Sequence, residues 1–292
     1  MAAGGVIVCM GTGCDVNFEE VQFDLTTLVV VGGAAVTLSN CRLTSSLSEG
    51  SKTCVLVHGQ GSKVLALEGC HFKGGLQCNS VHAGAVFDGR GVHCSDAAIT
   101  GIEVNGEGSQ LKLQAGKSGR RCKITNIYPE KVTYDLGGDG VFVNRSANAQ
   151  ISALNVTMCH RGVWVFQQSR CEMDTVVIRR CREVGFHITP GAASRCILRG
   201  CCVEDAHGGI WVLSNDGHVQ VSDGEVSDCC TCGVSVQGGA NVTVKGLRFS
   251  KNEVGFMSSG FGTMLMLQSC ESLGDARAHH EFAGGCIRRI EV

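Results

Sequence analysis

Six residues able to act as acid, base or metal ligand crowd into one short stretch: Glu204, Asp205, His207, Asp216, His218 and Asp223. Carboxylates paired with histidine suit general acid–base chemistry, and with a basic group or metal nearby they suit chemistry on acidic sugars. In that reading Asp216 or Asp223 is the acid or base with His207 as partner, and stacking of adjacent coils brings Asp205 or His207 near Asp216. The bland alternative is that polar residues at turns serve solubility. A second set is aromatic. Phe142, Trp164, His187 and Trp211 recur at near-regular spacing and include both tryptophans of the chain. Large aromatics aligned on a solvent face mark binding surfaces. A third set is sulfur, densest at Cys229-Cys230-Thr231-Cys232, with Cys159-His160 and Cys201-Cys202 in neighbouring repeats. A zinc site wants two separated pairs, or Cys with His at defined spacing, so no metal and no cofactor is expected.

What must position these residues is a repeat. A tetrapeptide close to Gly-Val-x-Val returns about every 22–26 residues, as in Gly5-Val6-Ile7-Val8, Gly140-Val141-Phe142-Val143, Gly162-Val163-Trp164-Val165 and Gly209-Ile210-Trp211-Val212. A second apolar-x-apolar run follows each one, as in Val36-Thr37-Leu38, Leu111-Lys112-Leu113 and Val242-Thr243-Val244. A short third run often follows, such as Cys70-His71-Phe72. Period-two alternation separated by Gly and small polar residues predicts short strands joined by turns, and a fixed period predicts stacked coils. The expected fold is all-β: a single parallel β-helix of about eleven coils across 1–292. The excess length of one coil predicts a loop inserted at about 117–138, and the last segment, about 274–292, predicts a cap in which 275–282 form a short helix.

On these repeats the chain resembles the right-handed β-helix of the pectin-lyase-like superfamily over nearly its whole length. At fold level it also resembles the β-helix modules of CASH-type and F-box-associated repeat proteins, which work as recognition rods. Many pectin-lyase-like proteins act on polysaccharides, yet the motifs of their enzymes are missing. Asn-Thr-Asp, Asp-Asp and Arg-Ile-Lys of polygalacturonases are absent, and His207-Gly208 matches only a dipeptide. The Arg-x-x-Pro of pectate lyases and the Asp-Pro-His-Glu of alginate epimerases are absent too.

Composition narrows the partners. A formal net charge of −2 gives no bulk drive toward nucleic acid or anionic membrane. No apolar run reaches membrane-spanning length. Two prolines against 41 glycines suit ladders that need every N–H. Nineteen cysteines, an odd number without a visible secretory signal, favour a reducing, cytoplasmic setting with small buried thiols stacked at equivalent coil positions, as at Cys41, Cys70, Cys201 and Cys270.

Alternation sends the third letter of each tetrapeptide outward. The expected outer line is Ile7, Val30, Leu56, Gln77, Glu103, Phe142, Trp164, His187, Trp211, Ser235 and Met257. The insert carries Tyr128 and Tyr134 and rejoins the repeat beside Phe142, so it is expected to pack on the aromatic line or wall a groove beside it. The basic third-run residues Arg42, His71, Arg179 and Arg248 read as scattered. The expected function is a non-enzymatic scaffold or protein-interaction module in a larger intracellular assembly. Its contacts are Phe142, Trp164, His187, Trp211, Tyr128, Tyr134 and the N-terminal edge. The alternative is a polysaccharide-binding or polysaccharide-degrading lyase, hydrolase or epimerase with its site near Trp211.

Overall fold

A computed structural model describes residues 5–46, 53–128, 137–189, 191, 195–213 and 218–290. Every regular element among them is a β-strand, and all pair in parallel into three sheets of twelve, twelve and eleven strands. One strand from each sheet makes a coil. There are eleven complete coils, and a twelfth that contributes Arg277–Phe282 and Cys286–Ile290. Coils are numbered by their first-sheet strands: Gly5–Met10 is coil 1, Asp139–Asn144 coil 6, Arg161–Phe166 coil 7, Val184–Thr189 coil 8 and Gly208–Leu213 coil 9.

The core is a set of columns. Val141, Val163, Phe186 and Ile210 meet Ile124, Val156, Ile178, Val203 and Val226 from the third sheet, all essentially inaccessible. Each column extends by one side chain per coil, so no coil buries its apolar face without its neighbours. Most cysteines belong to these columns. Cys41, Cys70, Cys122 and Cys201 are buried just before or at the start of third-sheet strands, and Cys270 is half-buried. Burial pushes the thiols of Cys70 and Cys201 up to about 11 and about 12, which keeps them protonated and inert.

The glycine of the tetrapeptide has a steric cause. A Cβ on Gly140 would sit 2.5 Å from the carbonyl oxygen of Gly162, and one on Gly162 would sit 2.5 Å from that of Gly185. It would also strike Val156 or Ile178 from the third sheet. The chain turns from third to first sheet here with coils so close that no side chain fits.

Two expectations change. Residues 277–282 form a strand, not a helix, because pairing with coil 11 (Val254↔Arg277 to Ser259↔Phe282) outweighs the weak propensity of a short helix. The 117–138 insert is not one excursion either. Its middle, Cys122–Ile127, is a regular third-sheet strand paired with Leu154–Cys159.

Candidate functional site: an aromatic column on the first sheet

The parallel register aligns Phe142, Trp164, His187 and Trp211 on consecutive strands of the first sheet. Glu103 precedes them, and Ser235, Met257 and His280 follow. At the N-terminal end the outward line differs from expectation. It runs through Val8, Val29 and Ser80, whereas Ile7 aligns with Leu28 and Gln77 with Thr100. Val30 points into the core and is fully buried. Coil 2 reads Leu-Val-Val-Val, with no glycine or polar residue to set its phase, and a one-residue slip exchanges the two faces.

Three of the four rings, Phe142, Trp164 and His187, form one stack. Phe142 and Trp164 lie with centroids 4.6 Å apart and planes 28° apart, and Trp164 and His187 are 5.6 Å and 13° apart. These separations are close to the strand spacing of about 4.8 Å, so the ring faces point along the rod and their edges point outward. Trp211 breaks the pattern, meeting His187 edge-on at 6.2 Å and 84°. Its indole lies against Gly208, where any Cβ would collide with the ring. Trp164 is fixed further. Its Nε1 donates to Thr189 Oγ1 at 3.1 Å, Phe166 tilts against it at 5.3 Å, and the Arg161 guanidinium lies 4.0 Å over its ring.

Arg161 opens a charged flank that the sequence reading missed. Its Nε donates to Asp139 Oδ1 at 2.6 Å and its Nη2 to Asp139 Oδ2 at 3.3 Å, with both side chains buried. Glu183 approaches Arg161 at 3.7 Å and His160 at 3.4 Å. Burial raises the Asp139 carboxyl to about 6 against the opposing pull of Arg161, with Glu183 and Glu103 adding repulsion. A carboxyl near 6 is suited to acid–base work, but both Asp139 oxygens are engaged by Arg161 and the group is sealed from substrate. A signal for this pair was present: Asp139 and Arg161 stand at the same repeat position, just before successive glycines. His187 is held between the tryptophans, and neither of its nitrogens finds a hydrogen-bond partner among the described residues. Desolvation, then Arg161, lowers it to about 4, so the ring is neutral at physiological pH.

The other candidates disperse. Asp205 sits at the third-to-first corner with φ 56°, in a series of left-handed corner residues with Asn126, Met158, Arg180 and Asp228, and contacts Arg180 at 3.9 Å. Asp223 turns the second-to-third corner with φ 53°, a different edge of the rod. Aspartate tolerates this backbone region better than most residues, which accounts for both without catalysis. His207 is exposed, 6.4 Å from Trp211 and edge-on to it. Asp216 lies outside the described residues. The proposed acid–base group of Asp205, His207 and Asp223 is therefore not assembled. Tyr128 packs over the Arg182 guanidinium at 4.2 Å on the corner that flanks the aromatic column, and Tyr134 lies outside the described residues. The start of the former insert stays away from the column: Ser118 hydrogen-bonds Glu68 at the second-to-third corner. Cys229 and Cys232 are buried and Cys230 is exposed. Among the described residues no three His, Cys, Asp or Glu side chains come together to hold a metal. No helix among them is long and apolar enough to cross a membrane.

Three parallel sheets, an apolar interior of columns that take one side chain per coil, and outward ladders define a right-handed parallel β-helix. The chain matches the family described as the right handed beta helix region over residues 26–223 and 100–271, and it belongs to that family. No curated protein matches it. Among solved structures it is similar to a hyper-glycosylated TibA fragment modified by TibC, at 12% identity and TM-score 0.43, covering 99% of this chain and 98% of that one. It is also similar to the catalytic unit of a GH87 α-1,3-glucanase from Streptomyces thermodiastaticus, at 14% identity and TM-score 0.45, covering 99% and 64%. A third similar structure is the tailspike receptor binding domain of siphovirus 9NA, at 9% identity and TM-score 0.34, covering 99% and 74%.

Proposed function

We propose that this β-helix is a non-enzymatic recognition rod that binds a protein partner through the first-sheet face of coils 6–9, as part of a larger intracellular assembly. The observation that carries the reading is the mutual stacking of Phe142, Trp164 and His187. Sugar-binding platforms need a free aromatic face for a pyranose ring to lie on. Here the faces of Phe142, Trp164 and His187 are spent on one another, and what these three turn outward is a ridge of ring edges. Such a ridge is pre-ordered, costs little side-chain entropy to bind, and is rich in the tryptophan typical of interface hot spots. Buried thiols along the core suit a reducing compartment.

The test is affinity capture from a lysate of the source cells with wild type and with Trp164→Ala/Trp211→Ala. A set of proteins held by wild type and lost by the double variant supports the reading. Unchanged capture, or depolymerisation of an acidic polysaccharide by the purified chain, overturns it.

A further inference from the structure

A second face carries a feature unconnected with the aromatic column. The third-sheet register aligns Arg42 with His71, His71 with His93, and His93 with Lys123, so four basic or titratable residues stand on four consecutive coils. Arg42 and His71 thus belong to a continuous strip, not to the scattered set expected from the sequence, whereas Arg179 and Arg248 stand elsewhere on the rod. His71 and His93 stack face to face, 4.3 Å apart with planes 4° apart. Beside them opens a cavity of about 340 Å³ lined by His71, His93, Arg120, Arg121 and Lys123.

The walls are held in place. The turn carrying Arg120 lies directly on Gly91, where a Cβ would come within 3.1 Å of the Arg120 carbonyl. Gly116 N–H donates to that same carbonyl at 2.8 Å. Arg121 is anchored through Nη2 to the carbonyls of Leu154 and Thr175, while its Nε is buried with no acceptor among the described residues. The Nε2 atoms of His71 and His93 are engaged by Ser95 and Thr125 at 3.1 and 3.2 Å, which leaves the other nitrogen of each ring for a ligand. The acids nearby are already committed: Glu68 to Ser118 and, at 3.6 Å, to Arg120, and Asp96 to Lys73 at 3.4 Å. Five nitrogen-bearing side chains thus converge on a cavity that no carboxylate lines.

We propose that this cavity binds a tetrahedral oxyanion, a phosphate or sulfate group carried on a small molecule or polymer. Arg120 and Lys123 supply charge at the mouth, the anchored Arg121 guanidinium a fixed positive charge, and the histidine pair the inner wall. Charge-assisted hydrogen bonds from such donors are the standard means of holding these anions. Desolvation, then Arg42 and Lys73, depresses His71. Desolvation, then His71 and Lys123, depresses His93 to about 4, with Asp96 opposing in both cases. Bound sulfate, a dianion throughout this range, offsets the cationic repulsion and draws protons onto the rings, so affinity for sulfate rises as pH falls from 7.5 to 6, whereas phosphate loses its second charge over the same range.

The experiment titrates inorganic phosphate, and separately inorganic sulfate, into the full chain at constant ionic strength, followed by calorimetry and by the imidazole resonances of His71 and His93. Saturable 1:1 binding that moves both imidazoles is expected. Lys123→Gln and Arg120→Gln, both surface changes, should each weaken it about tenfold, the scale of one charged hydrogen bond. His93→Gln should reduce the pH dependence of sulfate binding, leaving the share that belongs to His71. Arg248→Gln, an exposed cation on the same sheet but distant coils, should leave binding unchanged. Competition by sulfate assigns the site to oxyanions generally, and its absence assigns it to phosphate. No saturable binding, or equal weakening by Arg248→Gln, overturns the proposal.

Discussion

His187→Phe tests the aromatic column directly. The substitution keeps a ring between Trp164 and Trp211 but removes two buried nitrogens that lack partners. In wild type the ring is held near pKa 4, below its ordinary 6.5, chiefly by desolvation. A histidine depressed on folding contributes stability that is present above its unfolded pKa and is lost as pH falls toward the folded one. At pH 4.5 the unfolded ring is charged and the folded ring largely is not. Discounted for the ring's partial exposure, that difference is worth about 2 kcal/mol. Asp139, raised to about 6 and therefore of opposite sign, titrates in an overlapping range, as does His93, but both are present in both proteins and cancel in the comparison. The assay is urea unfolding at pH 7.5 and 4.5. Both tryptophans lie in the column, so their fluorescence reports coils 7–9 specifically, which matters in a solenoid that need not unfold as one unit. His187→Phe should lose about 2 kcal/mol less than wild type between the two pH values. An equal loss in both proteins would refute the buried, unpartnered state of His187 and with it the rigidity argued for the ridge.

Two further outcomes follow from the same geometry. Arg161→Leu strands a buried Asp139 carboxylate and should cost roughly 3–5 kcal/mol by urea unfolding at pH 7.5, with much of the loss recovered in Arg161→Leu/Asp139→Asn. Gly162→Ala should cost about 1–3 kcal/mol, because its Cβ meets the Gly185 carbonyl and Ile178; Gly5→Ala, whose Cβ meets only Thr26 at 3.4 Å, should be close to neutral in the same measurement.

Much of this was written in one dimension. In a parallel β-helix every strand pairs with its equivalent one coil later, so the period names neighbours and the alternation names faces. That is why Phe142, Trp164, His187 and Trp211 are legible as one line in the sequence alone. The same logic failed where the period stretched or lost its phase. Coil 2 gave no cue to tell Val29 from Val30, and the long coil from Gly101 hid an ordinary strand at Cys122–Ile127, which concealed the alignment of His93 with Lys123. Tertiary structure alone decided the rest. It turned Phe142, Trp164 and His187 face to face, so that they present a ridge of ring edges outward. It put Asp205 and Asp223 on different corners, and it drew Arg161 onto Asp139 and Trp164 together. Sequence spacing fixes which residues stack; ring orientation, corner geometry and charge pairing depend on contacts across coils, which only the packed rod provides.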